Sequence, residues 1–196
     1  MPPFSLDDFR AALLTAAREG FAALQRSHAD ERFYAFALYT TDEADYVVPT
    51  ANTEEGLARR AAHYAERYGG DPALRRASLR WSPADWAYHE DAEAGERFRR
   101  VDRLLMEADA QRRRPPAAVR VRGVLAACVD VLQALDREGA FGRGPARDEV
   151  VVNLLKGDQS DEERLAWARQ LNPPASFARY EAELKAGHEA FRALSG

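Results

Sequence analysis

The sequence lacks the patterns that mark several large classes of enzyme. Its four histidines include no pair spaced four residues apart, so the helical zinc motif is absent. Neither a Gly-x-x-x-x-Gly-Lys phosphate loop nor a Gly-x-Ser-x-Gly nucleophile elbow occurs. The single cysteine, Cys128, cannot form an intramolecular disulfide, and its apolar surroundings are typical of a buried packing residue. We therefore expect no metal site and no cofactor.

Long apolar runs and an excess of basic residues are missing too. The formal net charge is −4, whereas proteins that bind nucleic acid carry a basic excess. The longest weakly charged run, residues 123–135, contains Asp130 and is shorter than the roughly 20 residues that span a bilayer. The first residues show no charged-then-apolar signal pattern. We therefore expect a cytoplasmic protein with neither nucleic acid nor membrane as a partner.

What the sequence does contain is a set of clear helix starts. At four places a capping residue precedes an acid by three positions, and its side chain can accept a hydrogen bond from the first free amides. The acid then suits the positive end of the helix dipole. The four pairs are Ser5 with Asp8, Asn52 with Glu55, Ser82 with Asp85, and Ser160 with Glu163.

Apolar residues recur at helical spacing after three of these starts and in three further regions. Glycines follow the second and fourth helices, and a Pro-Pro break at 112–116 separates the third from the fourth. The middle of the fourth helix carries one charge and should be the most buried part of the fold. The predicted helices cover 6–28, 53–68, 93–111, 118–138, 161–171 and 177–194.

Four segments have the composition of strands. Phe33–Thr40 is rich in aromatic residues and should form a hairpin with 46–48, which Pro49 closes. Residues 79–81 predict a short third strand, and 150–155, apolar on both faces, predicts a central strand. The irregular mixture of elements favours α+β over a doubly wound fold. We predict a single α+β domain over residues 1–196, with a small, mostly antiparallel sheet packed against several helices.

The core of this fold should lie between the sheet and the fourth helix. Burial of apolar side chains from the hairpin and from strand 150–155 against that helix would drive folding. The helix contributes Val124, Cys128 and Leu132, and the sheet contributes Phe33, Phe36, Leu38, Val47, Val151 and Leu154.

One nine-residue stretch, which we call the aromatic segment, holds two of the three tryptophans. It covers residues 81–89 and reads Trp-Ser-Pro-Ala-Asp-Trp-Ala-Tyr-His. A helix capped by Ser82 would place Trp86 against Trp81 as a hydrophobic staple. A tryptophan pair beside a tight helix start favours a groove, so the segment should line the main cavity.

The same helix would place Asp85 and His89 four residues apart on one face, within hydrogen-bonding reach. An aspartate that orients an imidazole supports proton transfer in many enzymes. The alternative to proton transfer is a structural role. An acid is expected at a capped helix start, so this position already accounts for the presence of Asp85. In that case His89 is a surface residue.

Two further places could carry chemistry. Asn153 and residues 156–159 (Lys-Gly-Asp-Gln) lie at a strand-to-helix junction, where free amides can hold an anion. Asp158 would repel a phosphate there, and a tight turn explains the same residues. Asp130, an acid in a nearly apolar helix, should be paired with an arginine from elsewhere.

Four stretches of the chain resemble a known bacterial family, the domain of unknown function four-three-zero-three. The resemblance extends from the first helix to about Pro173, and it implies no established activity. Small proteins of similar build often serve as immunity proteins beside bacterial toxins, which is an analogy of type. The stretches are residues 34–39 (Tyr-Ala-Phe-Ala-Leu-Tyr), 49–56 (Pro-Thr-Ala-Asn-Thr-Glu-Glu-Gly), 79–86 (Leu-Arg-Trp-Ser-Pro-Ala-Asp-Trp) and 153–159 (Asn-Leu-Leu-Lys-Gly-Asp-Gln).

Two functions from different classes follow from these patterns. The first is a non-enzymatic binding or interaction protein with a protein partner, of the toxin-immunity type. The alternative is a small hydrolase or transferase that uses Asp85 and His89 as an acid–base pair, with Asp158 as a third candidate. The oligomeric state is not set by the sequence. The residues expected to bind are Trp81, Trp86, Tyr88, His89, Asn153 and Gln159.

Overall fold

Nine helices and four strands make up the part of the chain that the computed structural model describes, residues 4–110 and 116–195. A single 3₁₀ turn, Pro83–Asp85, interrupts the aromatic segment. The strands are β1 Phe33–Thr40, β2 Val47–Thr53, β3 Tyr88–His89 and β4 Val151–Lys156. The helices are α1 Leu6–Ser27, α2 Glu54–Tyr68, α3 Pro72–Leu79, α4 Ala92–Glu96, α5 Arg99–Ala110, α6 Ala117–Glu138, α7 Pro145–Asp148, α8 Asp161–Leu171 and α9 Pro174–Ser195.

Local side-chain chemistry sets the starts of several helices. The hydroxyls of Ser5 and Ser160 each accept a hydrogen bond at 3.2 Å from the backbone N–H three residues further on. Both predicted caps are therefore confirmed. The cap of α2 is Thr53 rather than the predicted Asn52, because the Thr53 hydroxyl accepts from the Gly56 N–H at 2.9 Å.

The sheet is mixed, with the strand order β3-β2-β1-β4. β1 forms the predicted antiparallel hairpin with β2, β3 pairs antiparallel with β2, and β4 lies parallel to β1. The predicted α+β class is confirmed, although β4 makes the sheet mixed rather than purely antiparallel. These pairings assemble every strand that the structure describes into one sheet.

The predicted central position of β4 is wrong, because β4 is an edge strand. Its residues are buried on both faces since helices cover both sides of the sheet. Asn172 covers the open edge: it accepts from the Val152 N–H at 2.7 Å and donates to the Val152 carbonyl at 2.6 Å. A side-chain amide therefore takes the place of the missing neighbouring strand.

β2 is longer than predicted and continues through Pro49 to Thr53. Proline is tolerated in a strand where one side is free of a partner. β3 pairs only with Thr50 and Ala51, so β2 has no neighbour on that side at Pro49. Pro49 therefore does not close the hairpin.

Residues 79–81 are not a strand. Asp71 caps α3 by accepting from the Ala73 N–H at 2.7 Å, and the helix continues to Leu79. Proline at the first helical position supports this start. The third strand of the sheet is Tyr88–His89 instead.

The predicted helix 93–111 is divided into α4 and α5, which separate at Arg97 and Phe98. Phe98 turns inward at this break, and its ring would lie 3.2 Å from a Cβ atom on Gly20 of α1. The bend therefore brings Phe98 into contact with α1. Residue 111 and most of the predicted break at 112–116 lie outside the described residues.

The long helices α6 and α9 differ little from their predictions. α6 ends at Gly139, whose φ of +85° is the left-handed conformation that glycine adopts without strain. α9 begins at Pro174 rather than at residue 177, because proline suits the first turn of a helix.

The core has two parts, one on each face of the sheet. α1, α4, α5 and α6 cover the first cluster, and α2, α3 and α9 cover the second together with Trp81 and Trp86. Val151 belongs to the second cluster, because consecutive strand residues point to opposite faces. This corrects the expectation of one cluster against one helix. The other predicted core residues lie in or against the first cluster: Phe33, Phe36, Leu38, Val47, Leu154, Val124, Cys128 and Leu132.

Candidate functional site

The aromatic segment is a turn followed by a short strand, not a helix. Trp86 is already extended after the 3₁₀ turn. Ser82 does not cap the backbone, because its hydroxyl donates to the Asp85 carboxylate at 2.6 Å. His89 lies in β3, so the predicted helical spacing of Asp85 and His89 is wrong.

The two tryptophans of the segment contact each other, as predicted, but within the second cluster. Their ring centres are 6.2 Å apart. Trp86 is only 2% exposed, and its indole N–H donates to the Arg80 carbonyl at 2.9 Å. The indole N–H of Trp81 donates to the Glu183 carboxylate at 3.1 Å. A binding role for Trp86 would require this packing to open.

Asp85 is held by its neighbours on α2 and in the 3₁₀ turn. Its carboxylate accepts hydrogen bonds from the hydroxyls of Tyr64 and Ser82. Arg60 donates to the Asp85 carbonyl at 3.1 Å. These contacts fasten the turn to α2, and none of them involves His89.

His89 is half-buried and faces different groups. Its Nδ1 atom lies 3.3 Å from the Thr50 hydroxyl oxygen, and its ring packs edge-on against Tyr39 with centres 4.9 Å apart. Burial lowers the pKa of His89, and the charges of Glu90 and Asp85 offset this only in part. The lowered pKa favours the neutral imidazole, and among the described residues no carboxylate is hydrogen-bonded to it.

Tyr88 belongs to a separate hydrogen-bonded cluster around Glu31. The Tyr88 hydroxyl donates to the Glu31 carboxylate at 2.6 Å, and Arg59 donates to the Tyr88 oxygen at 3.2 Å. Burial and the bond to Glu31 raise the pKa of Tyr88 to about 12. The cluster joins β3 to the loop before β1, so the Tyr88 hydroxyl is used within the protein.

Asn153 and Gln159, both expected to bind, are buried and bond to the protein itself. The Asn153 amide donates to the Tyr180 hydroxyl at 3.4 Å and to the Arg164 carbonyl at 3.2 Å. The Gln159 amide bonds a backbone N–H and a backbone carbonyl near the end of β4, each at 3.4 Å. These bonds agree with the tight-turn interpretation of this junction.

The charged residues of the same turn do not form an anion site. The Lys156 ammonium lies 2.7 Å from Asp42 and 3.2 Å from Glu163, so its charge is already compensated. Asp158 is exposed, and together with burial it raises the pKa of Tyr39. Asp85, His89 and Asp158 therefore do not converge on one pocket.

Asp130 has the arginine partner that the sequence led us to expect, although it is not buried. Arg10 of α1 lies 2.9 Å from the Asp130 carboxylate, whose side chain is 50% exposed. The pair joins α1 to α6 at the protein surface, where an ion pair contributes little to stability.

An open cleft of about 290 Å³ lies between the aromatic segment, the turn after β4 and α9. We call it the Trp81 cleft. The first half of the aromatic segment lines it, whereas Trp86, Tyr88 and His89 do not. The lining residues are Tyr39, Ala77, Ser78, Trp81, Ser82, Pro83, Ala84, Gly157, Arg164, Leu184, Gly187, His188 and Phe191.

Arg164 of α8, which the sequence analysis did not single out, lines this cleft. One terminal nitrogen, Nη1, donates to the Trp81 carbonyl at 3.1 Å and so fixes the side chain. The buried Nε atom has no acceptor, and among the described residues no carboxylate forms an ion pair with this guanidinium. A partly buried arginine without an anion is unusual, because buried charges are ordinarily paired.

The far wall of the cleft is α9. Gly187 brings this helix close to α3, since a Cβ atom there would lie 3.0 Å from the Ala77 carbonyl. His188 lies 3.3 Å from Asp161 at the start of α8. Phe191 lines the cleft although its side chain is 63% exposed. The cleft therefore has both apolar and polar groups on its walls and is open to solvent on one side.

The position of the cleft follows a general rule for sheets with parallel strands. Ligands of such sheets bind beyond the carboxyl ends of the strands. Tyr39 is near the end of β1, Gly157 follows β4, and Arg164 lies on the helix after β4. The position of the cleft could be inferred only from the parallel pairing of β1 with β4, which the sequence did not predict.

A family comparison agrees with the resemblance seen in the sequence. The model of the family described as domain of unknown function (DUF4303) matches residues 13–173, so the chain belongs to this family. No curated protein and no solved structure matches the chain. The matched range ends just before α9, so the far wall of the Trp81 cleft lies outside it.

The described part of the chain shows neither a cluster of metal ligands nor a helix that could span a membrane. Within residues 4–110 and 116–195, no three histidine, cysteine or acidic side chains lie together as a metal site would require. In the same part of the chain, none of the helices combines the length and apolar character needed to cross a bilayer.

Proposed function

We propose that this chain is a non-catalytic binding protein that holds a segment of a partner protein in the Trp81 cleft. The observation that supports the proposal is Phe191, an aromatic side chain that lines the cleft and is 63% exposed. Docking of an apolar group against Phe191 and Trp81 would remove apolar surface from water. The open side of the cleft would admit a segment that projects from the surface of the partner protein.

The alternative of a hydrolase or transferase finds no support in the geometry. Its acid–base pair requires a hydrogen bond between Asp85 and His89, but each side chain is bound to other groups. Neither residue lines the Trp81 cleft. The same observations leave Asp158 without a catalytic partner among the described residues.

A toxin-neutralising role in the bacterial cytoplasm is the narrower form of this proposal. It rests on the analogy with small immunity proteins and on the single, buried cysteine. It predicts that co-expression of the chain restores growth to cells that make a toxin encoded by a neighbouring gene. Blocking the cleft should abolish that rescue.

The test begins with the proteins encoded by the genes next to this one. Each is purified, and its dissociation constant for the chain is measured by calorimetry. Ala84 is an exposed residue that lines the cleft, so Ala84→Arg would place a long side chain across it. We expect this variant to weaken binding by about tenfold or more.

The matched control is Ala11→Arg, an equally exposed alanine on α1 outside the cleft. We expect it to change binding by about twofold or less. Equal binding of a partner by Ala84→Arg and the unchanged chain would refute the role of the cleft. Turnover of a substrate by the purified chain would refute the non-catalytic assignment.

A further inference from the structure

We infer that the Trp81 cleft recognises an acidic side chain of the partner, whose carboxylate pairs with Arg164 while a neighbouring apolar side chain packs against Trp81 and Phe191. The inference rests on the proposed function and adds the chemistry of the bound group.

The hydrogen bonding of Arg164 is incomplete. An arginine is always charged, and its planar group carries five N–H donors. Nη1 donates to the Trp81 carbonyl at 3.1 Å, the guanidinium also hydrogen-bonds the Tyr180 hydroxyl, and the buried Nε has no acceptor. A carboxylate that accepts from the remaining terminal donors would compensate a charge that the described residues leave unpaired.

Nearby acidic side chains contact residues other than Arg164. Asp161 lies 3.3 Å from His188, and Glu183 lies 2.8 Å from Arg80. In the structure both carboxylates therefore contact groups other than Arg164. Asp158 is exposed and has no ion pair within the described residues, and its charge should weakly oppose an acidic ligand.

The surroundings of Arg164 suit a carboxylate better than a phosphate. A doubly charged phosphate is ordinarily held by several cations or by the free amides of a helix start. Here one arginine faces the cleft, and Ser160 already occupies one of the first amides of α8 by accepting from the Glu163 N–H at 3.2 Å. Asp158 adds negative charge nearby. A single negative charge suits this environment better than two.

The size of the cleft also limits the group that it can bind. The cleft volume of about 290 Å³ lies at the lower end of the range for ligand sites. It accommodates one or two side chains rather than a nucleotide. Trp81, Pro83 and Leu184 give it apolar walls, which favours an acidic residue next to an aromatic or aliphatic one.

The experiment compares three blocked dipeptides as probes. Acetyl-Glu-Phe-amide carries a side-chain carboxylate, acetyl-Gln-Phe-amide is its neutral match, and acetyl-Gln-Phe with a free carboxyl end carries a terminal carboxylate. Binding is followed by NMR through the backbone amide signals of Gly157 and Gly187, which line the cleft. Gly95 and Gly123 lie outside the cleft and serve as internal controls.

We expect acetyl-Glu-Phe-amide to bind with a dissociation constant on the order of 1 mM and to shift only the cleft glycines. The neutral peptide should bind about tenfold more weakly. Arg164→Gln should remove this preference, while Arg103→Gln, an exposed arginine on α5, should retain it. Asp158→Asn should tighten binding of the acidic peptide by about twofold.

Three outcomes would overturn the inference. Equal binding of the acidic and neutral peptides would show that the carboxylate is not recognised, and the proposed function would stand unaffected. Tighter binding of the peptide with the free carboxyl end would assign the cleft to a chain terminus. Absence of shifts in either cleft glycine up to about 20 mM peptide would exclude the site for this ligand class.

Folding of Arg164→Gln is checked by its near-ultraviolet circular dichroism and melting temperature. If this variant unfolds, Arg164→Lys keeps the charge and loses the planar fork, and it should bind the acidic peptide about threefold to tenfold more weakly. The comparison of peptides on the unchanged chain decides the inference in either case.

Discussion

Glu31 shows how a few hydrogen bonds can change the behaviour of one carboxylate. Its side chain is 11% exposed, and burial alone would favour the neutral acid. Hydrogen bonds from Arg59, Thr53 and Tyr88 outweigh burial and lower the pKa from 4.5 to about 2. The unfolded chain therefore binds this proton more readily than the folded protein does. The resulting stabilisation is complete above about pH 4.5 and is lost as the pH falls toward 2.

Glu31→Gln should therefore lower the free energy of unfolding by about 2 kcal/mol at pH 7. The difference from the unchanged protein should shrink below pH 4.5, because protonation of Glu31 then removes the charge that the variant already lacks. Urea unfolding between pH 2.5 and pH 7 measures this. Glu43→Gln, at an exposed position, is the control. A difference that stays constant with pH would contradict the assigned role of the charge.

Asp85 offers a second test at the scale of single residues. Asp85→Ala removes the acceptor for the hydroxyls of Tyr64 and Ser82, so we expect a loss of about 1–3 kcal/mol in the free energy of unfolding. Chemical denaturation measures this loss. His89→Ala removes the 3.3 Å contact to Thr50 and the edge-on packing against Tyr39 of a half-buried ring, and it should cost less. An enzymatic activity abolished by both changes, with stability unaltered, would instead favour the acid–base pair.

At the scale of elements, the sequence predicted those helix and strand ends that depend on residues close together in the chain. β1 has its predicted ends because a run rich in aromatic residues lies between polar turns. The caps at Ser5 and Ser160 require only residues three positions apart. The position of β4 could not be predicted in this way, because burial on both faces occurs in central strands and in edge strands that helices cover.

The candidate site shows the same limit. Trp81 and Pro83 were predictable as cavity residues from their local composition. Arg164 was not, because its role depends on the carbonyl of Trp81, a residue 83 positions away in the sequence. Phe191 lies on the far wall, and only the packing of α9 against α3 brings it to the cleft.

Asn172 provides the test at this scale, because it replaces a strand at the edge of β4. Asn172→Ala would leave the Val152 N–H and carbonyl without partners, so we expect a loss of about 2–4 kcal/mol and faster hydrogen exchange at Val152. Exchange is followed by NMR. Amides of β1 between β2 and β4 are the internal control and should change less. Unaltered exchange at Val152 would show that another group protects this edge.

At the scale of the whole molecule, α9 connects stability to the proposed site. Tyr180 of α9 packs edge-on against Trp81 with ring centres 4.6 Å apart. Glu183 of the same helix accepts hydrogen bonds from Arg80 and from the Trp81 indole, at 2.8 Å and 3.1 Å. The helix that forms the far wall of the cleft therefore also covers the second cluster.

Removal of residues 174–196 should consequently affect both properties together. The truncated chain would expose the second cluster and leave Arg80 without Glu183, so we expect a loss of several kcal/mol in stability and a red shift in tryptophan emission. Urea unfolding followed by fluorescence measures both. Removal of residues 195–196 alone is the control, because Ser195 is exposed and belongs to neither core cluster. If the truncated chain unfolded with the midpoint and emission of the full chain, α9 would be dispensable for the second cluster, and the Trp81 cleft would need a different far wall.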